Sequence, residues 1–307
     1  MKIYLNTADE SWVVDRFRSE WINFNEEFIT KNIKEADIIW LIAPWIWKKI
    51  PRKYLKEKLV VCTIHHIDFD KFDKKEEKNF YKRDKFVDTY HSISDNTTKS
   101  LNTLTKKIIT TIPFWINQNI FYDMPEQKKI RKKYDLNPDS YFIGSFQRDT
   151  EGNDLISPKT SKGPDRLIKI FKYHYENNKN VEILLTGKRR NFIIGELKKF
   201  QIPYKYFEMV NFNQLNELYN CLNLYVVASR VEGGPQAIME CAITKTPIIS
   251  TDVGIASKIL NQKSIFTMDN FSFAKTDTEY AYSKSISYCI PDWFDEFKNL
   301  FGDLLSK

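Results

Sequence analysis

The chain has 307 residues, with 47 Lys plus Arg against 40 Asp plus Glu and a formal net charge of +7. At about 150 residues per domain, that length accommodates two domains, each large enough to bury a core. Hydrophobic residues at 42% and aromatics at 15% exclude a disordered or collagen-like chain. The charge is spread out: residues 1–120 carry 21 basic and 17 acidic side chains, a net of +4, which leaves +3 for the remainder. A nucleic-acid binder concentrates its charge on one patch or tail, so nucleic acid is not an expected partner. Cys62, Cys221, Cys241 and Cys289 form no CxxC pair and read as reduced thiols of a cytosolic protein. The opening MKIYLNTADE lacks the apolar core of a signal peptide. The longest apolar run, residues 38–47, falls short of the roughly 20 residues of a membrane-spanning helix. A soluble, cytoplasmic protein is expected.

In chain order, short β-rich runs alternate with helix-sized spacers. The first half offers strands at 2–6, 38–43, 59–64, 89–93 and 108–112; the second offers 141–146, 181–186, 204–210, 224–228 and 247–251. Apolar runs of this length predict parallel sheets buried on both faces, hence two α/β units. Their boundary falls near 114–138, where PFWINQNIFYDMPEQ breaks the pattern. The expected division is 1–118, 119–290 and a C-terminal helix from 291 to 307. That helix carries Trp293, Phe294, Phe297, Leu300, Phe301 and Leu304 as one apolar stripe. Its last-in-chain position suits a return to the first domain.

The most informative segment is Ser229-Arg-Val-Glu-Gly-Gly-Pro-Gln-Ala-Ile-Met-Glu240, which follows the strand LYVVA. Pro235 falls where a helix begins. Gly233 and Gly234 let the backbone approach a ligand, and the helix start around Gly234, Gln236 and Ala237 forms an anion site. Such loops lie at the carboxyl ends of parallel strands, where ligands bind. Glu232 and Glu240 flank this site, and carboxylates beside a phosphate site suit hydroxyls. A sugar nucleotide, with its anion between two diols, has that chemistry.

From about residue 141 to 260 the chain resembles the GT-B glycosyltransferases of family 4. The likeness rests on the two Glu eight positions apart around a Gly/Pro turn and on the following PIISTDVGIASKIL. The resemblance implies an α/β fold of two Rossmann-like domains facing a central cleft, with the C-terminal helix crossing back. The first domain would take the acceptor and the second the nucleotide-sugar donor. It implies that Glu232 contacts the donor hexose and Glu240 the ribose. It also implies an Arg and a Lys on the donor diphosphate, for which Arg148 and Lys162, in IGSFQRDTEGNDLISPKTSKGPDRL, are the candidates. Two cations there would stabilise the leaving group. Gly187 matches the turn beneath the donor base. Phe207 or Met209 could touch that base, although both also read as core residues of a strand. In VVCTIHHID, His65 holds the position of a His near donor sugar and acceptor, with His66 as the alternative. The loop NTADESW lacks the usual Gly-Gly, so Asp9, Glu10, Ser11 and Trp12 are candidates to line the acceptor site.

Two further features carry expectations. Asp68-Phe-Asp70 imitates the metal motif of the GT-A fold, which has no use for a second α/β unit bearing Glu232 and Glu240, so neither a metal nor any other cofactor is expected. Residues 45–58, WIWKKIPRKYLKEK, combine two Trp with six basic residues and one acidic. That composition suits a loop with packed aromatics and solvated lysines, with a membrane surface as the alternative. The resulting expectation is a retaining hexosyltransferase using a UDP- or GDP-linked sugar and a glycan, lipid-linked or other hydroxyl acceptor. A sugar-nucleotide epimerase or hydrolase, a nucleic-acid-modifying enzyme and a binding-only homologue remain alternatives.

Overall fold

Runs of Val, Ile and aromatics without polar alternation become strands with both faces covered; all four residues of Ile38–Leu41 are buried. In the computed structural model, which describes residues 1–7 and 13–306, the chain divides into two units. One comprises Met1–Trp115 and Ile290–Lys307, the other Ile116–Cys289. The candidates Asp9, Glu10, Ser11 and Trp12 lie outside the described residues.

The first unit runs β1 (Ile3–Leu5), α1 (Val13–Phe24), β2 (Ile38–Leu41), α2 (Arg52–Glu57), β3 (Leu59–Ile64), α3 (Lys74–Asp84), β4 (Thr89–Ser92), α4 (Asp95–Asn102) and β5 (Ile108–Thr111). Its strands pair in parallel in sequential order. Leu55, Phe80 and Leu101 from α2, α3 and α4 cover one face. The other is covered by α1 and the C-terminal helix Phe294–Leu305. There Trp21 meets Trp40 edge-on at 5.4 Å and Phe294 at 5.3 Å, while Phe301 lies 5.1 Å from Trp40. The helix buries Phe294, Phe297, Leu300, Phe301 and Leu304, five of the six residues of the stripe read from the sequence; the sixth, Trp293, precedes the helix half-buried, and its Nε1 donates to the Pro113 carbonyl at 2.8 Å. At about 1.5–3 kcal/mol per fully buried large side chain, that stripe is a principal contributor to the unit's stability.

One buried polar chain crosses this unit without leaving an atom of it unmatched. Trp40 Nε1 donates to Thr63 Oγ1 at 2.8 Å, that hydroxyl lies 2.9 Å from His91 Nδ1, and His91 Nε2 lies 2.7 Å from the Ile112 carbonyl. A carbonyl only accepts, so Nε2 carries the proton, Nδ1 accepts, and His91 is neutral.

In the second unit, α5 (Gln127–Lys133) precedes β6 (Tyr141–Ser145), α6 (Pro164–Asn177), β7 (Val181–Thr186), α7 (Asn191–Lys199), β8 (Tyr204–Phe207), α8 (Phe212–Asn220), β9 (Leu224–Val227), α9 (Gln236–Ile243), β10 (Ile248–Ser250), α10 (Ala256–Ile259) and α11 (Thr278–Ser285). The parallel sheet has the order β10-β9-β6-β7-β8. The chain thus starts in the middle, runs outward through β7 and β8, and returns to the other side of β6. The reversal lies between β6 and β9, and the loops leaving their carboxyl ends span residues 146–163 and 228–235. In an open α/β sheet, ligands bind at this point.

Two expectations are corrected. β8 ends at Phe207, so Met209 is not a strand or core residue; it is 49% exposed, whereas Phe207 packs edge-on against Tyr134 at 5.6 Å. Of the two tryptophans in 45–58, Trp47 turns inward, 3% exposed, with its Nε1 on Asn79 Oδ1 at 3.4 Å; only Trp45, at 46%, faces outward. Ile46, Ile50 and Leu55 are buried too, because this stretch is a 3₁₀ turn and a short helix that close one side of the sheet.

Candidate active site

The two loops at the β6–β9 switch point are built against each other. Gly163, at φ +62°, caps the start of α6, and a Cβ there would lie 2.0 Å from the Ala228 carbonyl oxygen. Only glycine allows this approach of the α6 entrance to the end of β9. The contact continues through backbone bonds: Arg230 N and Val231 N both donate to the Ser161 carbonyl, at 2.8 and 3.1 Å. The Arg230 side chain adds a forked pair with Asp165, Nη1 to Oδ1 at 2.7 Å and Nη2 to Oδ2 at 2.6 Å, and reaches the Thr160 carbonyl at 3.0 Å. That bond holds the Asp165 carboxyl below its usual range.

Lys162 and Glu232 are thereby brought together, with Lys162 Nζ donating to Glu232 Oε1. The carboxylate is the more enclosed, 8% exposed against 21% for the ammonium. Ser229 Oγ donates to the same oxygen at 3.1 Å, and Thr251 Oγ1 fixes the Ser229 carbonyl at 2.7 Å. Arg148, on the same loop as Lys162, is exposed and makes no ion pair with any described residue. Gln147 Nε2 ties this part of the loop to the Lys162 carbonyl at 3.2 Å.

Gly233, Gly234 and Pro235 lead into α9, whose first residues are Gln236 and Ala237. Pro235 is the residue before the helix rather than its first turn. Gly254, at φ +59°, packs so closely that a Cβ would lie 2.5 Å from the Gly233 carbonyl oxygen, which fixes this turn from the β10 side. Glu240 is buried one turn inside α9 and accepts from the Tyr219 hydroxyl at 2.7 Å. Burial and the neighbouring carboxylate push that phenol far above its ordinary range, so it remains a donor. Gly187 closes β7 at φ +91° and its carbonyl accepts from Tyr206 at 3.0 Å.

Tyr219, Arg230, Asp165 and Ser229 were missed by reasoning from sequence. Tyr219 sits 21 positions before its partner on a different helix, and nothing local marks it. Arg230 stands two positions before Glu232 and Asp165 three after Lys162, and that closeness in sequence was the available signal.

His65 belongs to the first unit. Its Nε2 donates to the Ile42 carbonyl at 2.8 Å, and its ring lies 5.7 Å from both Trp45 and Phe114. Burial lowers its pKa to about 4, so at neutral pH it offers the Nδ1 lone pair to a hydroxyl and carries no charge. Burial likewise takes His91 to about 4. A histidine with its folded pKa depressed from about 6.5 contributes stability above that value and loses it as pH falls towards 4. For fully buried His91 the loss is about 3 kcal/mol across that window. The urea midpoint of unfolding should therefore drop steeply between pH 6.5 and 4. By NMR, the His65 and His91 rings should show no titration between pH 8 and 5.5; a midpoint near 6.5 for either would refute their neutral assignment.

Among the described residues, no group of three or more His, Cys, Asp or Glu is placed to hold a metal ion, and no helix is long and apolar enough to cross a membrane. No curated protein matches the chain by sequence. Among solved structures, HepE of Anabaena in complex with UDP and glucose superposes with a TM-score of 0.75 at 12% identity, covering 100% of both chains. Sucrose-phosphate synthase of Thermosynechococcus elongatus gives 0.69 at 14% identity, over 95% of this chain and 77% of its own. S. aureus TarM gives 0.66 at 16% identity, over 91% of this chain and 58% of its own. The fold is that of the GT-B glycosyltransferases. Residues 126–292 match the profile of the family described as Glycosyl transferases group 1, which spans both loops of the switch point. The chain belongs to that family and is a glycosyltransferase.

Proposed function

We propose that the chain moves a hexosyl unit, with retention of configuration, from a UDP- or GDP-linked sugar to a hydroxyl of a glycan, lipid-linked or other acceptor. The observation that carries the reading is the meeting of Lys162 and Glu232 at the switch point, Glu232 four residues before the start of α9 and Lys162 on the loop of Arg148, which makes no ion pair among the described residues. The donor is assigned to the loops of the second unit and the acceptor to the first, following the expected division at about residue 118. HepE, crystallised with UDP and with UDP-glucose, supports a uridine donor.

The chemistry follows from charge. Without donor, Lys162 and Glu232 neutralise each other. An arriving diphosphate carries more negative charge than one carboxylate, so it draws Lys162 away and releases Glu232 to the hexose hydroxyls. Arg148, Lys162 and the α9 amides at Gln236 and Ala237 then stabilise the negative charge that develops on the departing diphosphate. Gly233 and Gly234 give that group room, and Glu240 takes the ribose. Gly187 supports the base and Met209, exposed beside β8, covers it. His65 accepts a hydroxyl of the sugar or acceptor through Nδ1. No metal is assigned a role. The test is calorimetry with UDP and GDP, followed by a donor screen for nucleotide release with and without acceptors, in EDTA. Binding of neither nucleotide would end the reading, and release that needs no acceptor would favour a hydrolase.

Tyr219→Phe tests the ribose assignment. It should weaken UDP binding several-fold and leave inorganic diphosphate binding unchanged, because diphosphate has no ribose. It should also cost about 1–3 kcal/mol of stability, the price of a buried carboxylate losing a donor. Equal weakening of both ligands would move Glu240 away from the ribose.

The exposed basic residues around Trp45 are assigned to peripheral contact with an anionic cytoplasmic membrane face. With Trp47 buried, that contact is mainly electrostatic. Binding to phosphatidylserine vesicles should be seen at low salt and vanish at 0.5 M salt, about a 4 Å screening length; no flotation at low salt would end it.

A further inference from the structure

Asp149 follows Arg148 directly; its amide, carbonyl and Oδ1 are hydrogen-bonded, while buried Oδ2 has only an ion-pair contact among the described residues. Its amide donates to the Arg189 carbonyl at 3.0 Å and its own carbonyl accepts from Lys159 N at 2.7 Å. Oδ1 accepts from the amides of Phe192 at 3.2 Å and Ile193 at 3.5 Å, at the start of α7. Oδ2 lies 3.2 Å from Arg190 Nε. Arg190 is fully buried, and among the described residues its guanidinium has no hydrogen-bond acceptor of good geometry. The Asp149 carboxylate is what balances its charge. Burial outweighs the pull of Arg190 and the α7 amides and leaves the Asp149 carboxyl raised to about 6, still below neutral pH, so there the pair is ionic.

The same residue closes the neck of a small hairpin. Thr150 N and Oγ1 both donate to the Arg189 carbonyl, at 3.2 and 3.1 Å, Thr150 bridges to Pro158, and Glu151 N donates to the Ser157 carbonyl at 3.0 Å. Residues 150–158 of the 146–163 loop are thus folded off between Asp149 and Lys159. A buried ion pair is a poor source of stability, because well-packed neutral residues of similar volume do as well or better. Geometry is the better explanation for this one.

We propose that the buried Asp149–Arg190 pair is a positioning device that pins the base of the 146–163 loop and so presents Arg148 to the donor diphosphate. The proposal rests on the donor reading above. Its test is the double variant D149N/R190M, which keeps volume and the acceptor for the α7 amides but removes both charges. It should melt within a few degrees of the wild type yet bind UDP about tenfold more weakly. Arg190→Lys, which keeps the cation, should restore most of that affinity relative to Arg190→Gln. A double variant that binds UDP and GDP like the wild type overturns the proposal, as does Arg190→Lys binding no better than Arg190→Gln at equal melting temperature. If the wild type binds neither nucleotide, the donor reading fails by itself. Amide exchange of residues 147–162 in the ligand-free protein then decides: faster exchange in the double variant upholds the pinning, and unchanged exchange refutes it.

Discussion

Glu232→Ala should abolish sugar transfer while UDP binding stays as tight as in the wild type or becomes several-fold tighter. On the proposed donor reading the two effects separate, because Glu232, which holds Lys162 in the free protein, would compete for it with the diphosphate. Removing the carboxylate frees the ammonium and removes a negative charge beside the anion site, which favours the nucleotide. On the same reading the hexose loses the group proposed to orient it, and loss of one such preorganised contact costs about 10²–10³ in turnover. Lys162→Ala should do the reverse at the binding step, weakening UDP by about tenfold or more for a lost charge-assisted bond. If Glu232 served only to anchor Lys162, its removal would lower melting temperature and UDP affinity together. Calorimetry with UDP beside a nucleotide-release assay distinguishes these cases, and near-normal transfer by Glu232→Ala would sink the assignment.

The two sheets were legible because parallel strands are buried on both faces and so read as unbroken apolar runs. β3 and β7 have the bounds their composition suggested, and the other strands apart from β8 are trimmed by one or two residues. β8 lost three residues because Glu208 and Met209 are exposed, and an apolar Met in sequence carries no sign of which side it will face. The stripe of the C-terminal helix was visible for the same reason as the strands: 3.6-residue periodicity is a local property. The candidate site was legible as a place in the fold where its signal is local, as in the Glu232–Glu240 segment with its Gly and Pro, which does fall at the switch point. The partners that hold it were not. Tyr219 against Glu240, Arg230 across to Asp165, and Arg190 beneath Asp149 meet only after the strands are ordered, and no spacing encodes strand order. Trp47 misled because composition alone cannot separate a packed aromatic from an interfacial one.

Strand order is also why a residue with no side chain controls the site. Gly163→Ala should cost about 3 kcal/mol or more of stability and leave no measurable transfer. A left-handed conformation costs an L-residue roughly 1–2 kcal/mol by itself. The added methyl would also sit 2.0 Å from the Ala228 carbonyl oxygen, a backbone atom at the end of a central strand that cannot swing aside. Relief requires the α6 entrance to move away from β9, and that separates Ser161 from Arg230 and Val231 and Lys162 from Glu232. The effect should be confined to the second unit: its amides should exchange faster while the Trp21–Trp40–Phe294 cluster of the first unit keeps its protection. Gly195→Ala is the control, since that helix glycine has open space around it and should gain slightly in stability, by about 0.5–1 kcal/mol. If Gly163→Ala melted like the control and still transferred sugar, the close packing of the two loops would not be what brings Lys162 to Glu232.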